Sequence, residues 1–263
     1  MVMGRELVRV AVGALAALSF GAFSIAGEEV ASRQAVLVEL FTSEGCSSCP
    51  PADRLLADLA RTQPIAGTEI VILSEHVDYW NRLGWTDPFS SADFSRRQSD
   101  YAGVFGSHRV YTPQMVVDGQ FEFVGSDARQ ARRAMEKAAG RPKGAMAVAF
   151  SHKAGESSAA LDVNVTNLPQ PLAGPVNVWL AVAEDDLETS VVRGENAGKR
   201  LKHAAVVRRL EKIGEIKAGS AAPLSWSRDV RLDPIWKTSN LRAVVFLQER
   251  DSRRIVGVAA AGL

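Results

Sequence analysis

The only two cysteines of the 263-residue chain stand three residues apart in ELFTSEGCSSCPPAD, at Cys46 and Cys49. Before them runs AVLVELFT (35 to 42), nearly continuous in apolar residues and of the kind found in strands covered on both faces. After them ADRLLADLAR (52 to 61) sets Leu55, Leu56 and Leu59 on one helical stripe. A cysteine pair between a buried strand and an amphipathic helix is a redox pair, a metal clip or a structural staple. A bridge closing so short a loop stabilises little, under about 3 kcal/mol on the chain-entropy estimate, so the staple is the weakest of the three.

The pattern downstream extends the same arrangement. EIVILSEHV (69 to 77) reads as a second buried strand and SSADFSRRQSDY (90 to 101) as a polar helix opened by serines. Strand, helix, strand, helix is the order of a parallel α/β core. Thr112-Pro113 then leads into QMVV, the turn Asp118-Gly119 and the short strand FEFVG (121 to 125), followed by a helix over 126 to 139. Asp-Gly between two β runs is a hairpin signal, so these two strands are expected antiparallel. Gly140, Pro142 and Gly144 break the chain. From 145 to 263 the runs AMAVAF, ALDVNVTNL, VNVWLAVAE, HAAVVRRLEKIG, APLSWSRDVRLD, LRAVVFLQER and IVGVAAAGL read as an antiparallel sandwich. GENAGKR (194 to 200) is one residue short of a phosphate loop and has no Ser or Thr after Lys199, so it reads as a hairpin loop.

The start of the chain carries Arg5 and Arg9, then an apolar run from Val10 to Ile25 and small residues at Ser24 and Ala26. This is the pattern of a secretory signal peptide over residues 1–26, cleaved near Ala26. The alternative, an uncleaved membrane anchor, is opposed by the shortness of the run, so no stable anchor is expected after cleavage. Removal of residues 1–26 takes two arginines and one glutamate from 31 basic and 30 acidic residues, leaving 29 of each. A balanced charge has no electrostatic footprint for nucleic acid. A periplasmic or secreted location is oxidising, which permits a disulfide.

The element order, Cys46-Ser47-Ser48-Cys49 at the end of the first strand and Thr112-Pro113 opening the hairpin together resemble the thioredoxin fold over residues 35–140. That resemblance implies a cis Thr112-Pro113 bond whose loop faces the disulfide and presents backbone groups to a substrate chain. More narrowly, CSSCPPAD (46 to 53), HVDYWNRLGWTDPF (76 to 89), YTPQMVVDG (111 to 119) and RGENAGKRLKH (193 to 203) identify the chain as similar to the bacterial secreted family named domain of unknown function 1223. The fold class expected is therefore a thioredoxin-like α/β domain (35–140) followed by an all-β, sandwich-like domain (145–263).

The chemistry follows from the residues. A thiol near a helix N-terminus is favoured as thiolate. Cys46 is expected to attack and Cys49 to resolve. Pro50 and Pro51 weaken the helix contribution and push Cys49 toward an extended conformation, and Glu44 opposes thiolate formation, which favours a reductase or isomerase over a strong oxidase. Accessory candidates are Glu39, an acid inside the first apolar run, His76 at the end of the second, and His108. Tyr79, Trp80 and Trp85 are expected to form a satellite core, with His152 and His203 structural. The function expected is thiol-disulfide exchange with protein thiols and an unidentified redox partner, without cofactor or metal. The alternatives are a copper-binding protein using both cysteines with His76 or His108, since soft thiolates select Cu(I), and a binding protein with a static disulfide. A haem attachment is disfavoured because Pro50, not His, follows Cys49.

Overall fold

The protein is represented by a computed structural model that describes residues 34–107 and 109–263; the expected signal peptide and His108 lie outside the described residues. The first half contains β1 (Gln34–Thr42), α1 (Pro50–Thr62), β2 (Thr68–His76), α2 (Ala92–Val104), β3 (Gln114–Val117), β4 (Phe121–Val124) and α3 (Ala128–Ala139). The second half, apart from a short 3-10 turn at Thr238–Asn240, consists of strands: β5 (Met146–His152), β6 (Ser158–Val165), β7 (Val176–Glu184), β8 (Leu187–Ser190), β9 (Arg200–His203), β10 (Val206–Ile216), β11 (Leu224–Arg231), β12 (Leu241–Glu249) and β13 (Ile255–Gly262).

The expected fold class requires correction. A thioredoxin-like domain beside a separate sandwich does not form. One mixed eight-stranded sheet, in the order β13-β12-β7-β10-β2-β1-β3-β4, draws strands from both halves of the chain. The join lies at the edge of β2, where β10 runs parallel through Val206 and Ser74, and the Ser74 amide donates to the Ala205 carbonyl. The physical reason is that the outer edge of β2 offers unpaired backbone groups, and apolar patterning does not show which strand will cover them. β1 and β2 are parallel over Gln34–Thr42, and β3 pairs antiparallel with β1 and β4. The break at Gly140–Gly144 is also tied to the sheet: the Gly144 amide donates to the Val256 carbonyl, and Lys143 forms a buried pair with Asp118 at 2.5 Å.

The cores follow from strand alternation. On β7, Val176, Val178, Leu180 and Val182 meet the three-stranded sheet β11-β6-β5, whereas Ala181 and Ala183 join the core beneath the helices. Leu40 on β1 packs toward α1, since a Cβ on Gly125 would meet both Leu40 and Ala52. Glu39 faces the other way, toward Arg97 and Tyr101 of α2. At the β3–β4 turn Asp118 and Gly119 both have positive φ, 49° and 65°, as a type I′ turn requires, and the Gln120 amide closes it on the Val117 carbonyl.

Candidate functional site

The C-terminal ends of β1 and β2 deliver the candidate site. Cys46 and Cys49 form a disulfide. Cys49 is the N-cap of α1 and its carbonyl accepts the amides of Ala52 and Asp53. It is helical (φ −76°, ψ −38°) rather than extended as the following proline led one to expect. Those two amide bonds, together with the Cys49 amide donating to the Cys46 carbonyl, hold it there. Pro50 and Pro51 fill the first helical positions. Having no N–H, they remove donors that a helix start would otherwise offer a sulfur. The group remaining near Cys46 is the Ser48 hydroxyl, 3.3 Å from its Sγ. An oxidised sulfur cannot donate, so the hydroxyl does.

Both cysteines are fully buried, while Ser47 and Ser48 between them are exposed. The loop between β8 and β9, which is the hairpin loop expected at GENAGKR, is bonded to the cysteine turn. Asn196, itself buried, donates through Nδ2 to the carbonyls of Glu44 (2.8 Å) and Cys46 (2.9 Å). Glu195 accepts the Ser47 amide at 3.0 Å. A strap from the second half of the chain is thus fastened across the cysteine turn.

Beneath the turn lies a buried group of titratable side chains. Glu44 accepts from Trp85 Nε1 (2.8 Å) and pairs with His203 Nε2 (3.0 Å). Its carboxylate is therefore engaged by Trp85 and His203. His76 Nδ1 lies 2.7 Å from Asp87, and Asp87 also accepts the Glu44 amide. The His76 and His203 rings are 4.9 Å apart. Neither His76 Nε2 nor His203 Nδ1 has a partner among the described residues. Asp53, on the first turn of α1, receives the Thr42 hydroxyl at 2.8 Å. Burial raises its pKa against the lowering effect of His203, His76 and Thr42. For His76 burial acts downward, but Asp87, Asp53 and Glu44 outweigh it and the net shift is upward. Burial likewise pushes Asp87 upward, and His76 reverses this to a net lowering.

The other expected residues divide. Thr112–Pro113 is cis, and Thr112 Oγ1 accepts from Trp80 Nε1 at 2.8 Å. Trp80 also lies against Gly45, where an added Cβ would meet its Cβ at 3.2 Å. Pro113 packs near Gly125. His76 belongs to the buried group under the turn, whereas Glu39 does not. Glu39 accepts Arg97 Nε (2.6 Å) and the Tyr101 hydroxyl (2.5 Å), in a network that includes Gln248. Tyr79 and Trp80 pack on a small core of Phe41, Val77, Tyr101 and Val116, as expected, whereas Trp85 does not join that core and bonds to Glu44 instead. Among the described residues no three His, Cys, Asp or Glu side chains form a group able to hold a metal ion. Sequence reasoning read His203 as structural and did not single out Asp53, Asp87 or Asn196; the fold brings His203 to Glu44, Asp87 to His76 and Asn196 to the turn. For His203 and Asn196 a signal was present in RGENAGKRLKH, a polar, well-marked stretch with no role of its own.

The fold and site define a mixed α/β protein whose eight-stranded sheet runs through both halves of the chain, with a strapped C-x-x-C disulfide at the start of its first helix. The chain belongs to the family described as Protein of unknown function (DUF1223), whose profile matches residues 37–248. It is similar to a crystal structure of a protein from Agrobacterium tumefaciens, at 27% identity, covering 86% of this chain and 93% of that one with a TM-score of 0.62. It shares a fold with HBP35 of Porphyromonas gingivalis, at 13% identity, covering 88% of this chain and 76% of that one with a TM-score of 0.66. No curated protein matches.

Proposed function

We propose that the protein is an exported thiol-disulfide exchange protein of reductase or isomerase type, acting on protein thiols through Cys46 and Cys49 and served by a separate redox partner. The observation that carries this reading is the position of the disulfide: it joins a loop to the N-cap of α1, beside exposed Ser47 and Ser48. In the exchange, the Cys46 thiolate attacks a substrate disulfide, the substrate S–S bond breaks and its distal sulfur leaves as thiolate. The Cys49 thiolate then attacks Cys46 Sγ in the mixed disulfide, re-forms the internal bond and releases the second substrate sulfur. Two electrons pass to the substrate, and its two sulfurs take protons from solvent. The Ser48 hydroxyl stabilises the Cys46 thiolate, and the missing proline N–H groups keep that stabilisation moderate. Reaction requires local opening at the turn, since both cysteines are buried, and we assign that opening to release of the strap bonded across it.

A second reading, a static disulfide in a binding protein, is favoured by that same burial. Trapping separates the two. Cys49→Ser, expressed with its leader in a bacterial host, is expected to accumulate mixed disulfides with other proteins, whereas Cys46→Ser is not. Trapping by neither variant supports the static clip, and equal trapping by both cancels the assigned roles.

A further inference from the structure

Three loops converge on the cysteine turn. The loop after β2 reaches it through Trp80 against Gly45 and through Trp85 on Glu44. The loop before β3 joins that one through the Thr112–Trp80 hydrogen bond. The strap reaches the turn through Glu195 and Asn196 and packs Gly194 against Trp85.

Of six large apolar side chains exposed among the described residues, three lie on these loops: Leu83 (52%), Val110 (38%) and Val192 (69%). Each has an exposed arginine as its neighbour in sequence, Arg82, Arg109 and Arg193 respectively. None of these three guanidinium groups has an ion-pair partner among the described residues, although many other arginines do. The acid these loops expose, Glu195, accepts the Ser47 amide and keeps its negative charge, so the three arginines outnumber it. Each of the three loops joined at or next to this turn thus carries an exposed aliphatic–arginine pair, and the turn's own exposed residues are uncharged serines. A chain with a formal net charge of only +1 carries three exposed arginines, unpaired among the described residues, on loops joined to its disulfide turn.

We propose that these loops dock an extended polypeptide segment in which a cysteine is flanked by acidic and aliphatic residues. The inference deepens the exchange reading above and rests on it for the role of the cysteine. Complementary charge sets partner choice and encounter rate, and the aliphatic side chains supply the apolar contacts between the charges.

The test uses two labelled peptides that differ only in charge, one with glutamate and leucine around a central residue and one with lysine replacing glutamate. In the binding arm the central residue is serine and the oxidised wild-type protein is titrated by fluorescence anisotropy. The acidic peptide is expected to bind about tenfold more tightly at low salt, with the preference abolished at about 0.5 M salt. The triple variant Arg82→Gln, Arg109→Gln, Arg193→Gln is expected to lose the preference while keeping the wild-type melting temperature. Equal binding of both peptides, binding of neither, or a preference that survives in the triple variant overturns the proposal. In the exchange arm the central residue is cysteine, activated as a mixed disulfide, and the Cys49→Ser protein is used. Selective binding of the acidic serine peptide with no exchange in this arm upholds the docking surface and overturns the exchange reading instead.

Discussion

Replacing Asn196 by alanine removes the fastening of the strap without touching a sulfur. The Asn196 side chain gives both protons of Nδ2 to the buried carbonyls of Glu44 and Cys46. After the change Cys46 O keeps the Cys49 amide at 3.2 Å, whereas Glu44 O keeps no partner among the described residues. One orphaned buried carbonyl costs about 1–3 kcal/mol, and loss of the second bond adds roughly 1 kcal/mol. The expected total of about 2–4 kcal/mol is a large part of a typical domain stability. For a protein of this size it lowers the melting temperature by roughly 5–15 °C. Because the lost bonds are those that hold the strap down, local opening becomes more frequent, and a shift of about 2 kcal/mol raises an opening equilibrium about 30-fold. Reduction of Cys46–Cys49 by dithiothreitol, followed by thiol alkylation at a temperature well below melting, is expected to accelerate by a comparable factor. A melting temperature within 1 °C of wild type together with an unchanged reduction rate would refute the strap as the gate.

Gly119→Ala is expected to destabilise by more than about 3 kcal/mol in urea titrations, because the new methyl group would lie 2.0 Å from the Arg253 carbonyl oxygen at a φ of 65°; a loss below 1 kcal/mol would contradict the turn geometry. Glu75 is buried with both carboxyl oxygens unbonded, and desolvation together with the neighbouring Glu39 charge raises its pKa well above the usual carboxylate value against the pull of Arg97. A raised folded pKa gives stability that is fully present below the unfolded value and lost as pH rises, so Glu75→Gln should match wild type near pH 4 and exceed it at pH 7. An advantage independent of pH would count against a neutral Glu75. The His76–Asp87 pair has the opposite limits on its two sides: the raised His76 pKa makes its contribution fade as pH rises above the ordinary histidine value, and the lowered Asp87 pKa makes it fade as pH falls below the ordinary aspartate value. His76→Gln should therefore lose most stability, about 1–3 kcal/mol, between pH 5 and 6, and a loss that grows toward pH 9 would reverse the assignment.

Local elements were legible in the sequence because they depend on neighbours along the chain. The apolar runs at 35–42 and 69–77, the leucine stripe of α1 and the Asp118-Gly119 turn each carry their own periodicity or turn chemistry. Sheet assembly was not legible, since pairing β10 to β2 joins residues more than a hundred positions apart and β10 reads as apolar whichever edge it covers. The site divides in the same way. Cys46, Cys49 and Thr112-Pro113 stand out by type and spacing. Glu39 stood out as an acid in a buried run, but strand alternation turns it toward Arg97 on the face away from α1. His203 looked structural because it is a lone histidine in a β-rich half, and the return of β9 to the first helix brings it to Glu44.

The exchange reading is tested most directly by the reduction potential of the Cys46–Cys49 pair, measured by equilibration of the full mature protein with glutathione redox buffers and quantified by alkylation. A catalytic reductase or isomerase pair is expected between about −270 and −180 mV. A potential below about −300 mV, in the range of structural disulfides, would contradict exchange and leave the bridge as a static clip under the strap.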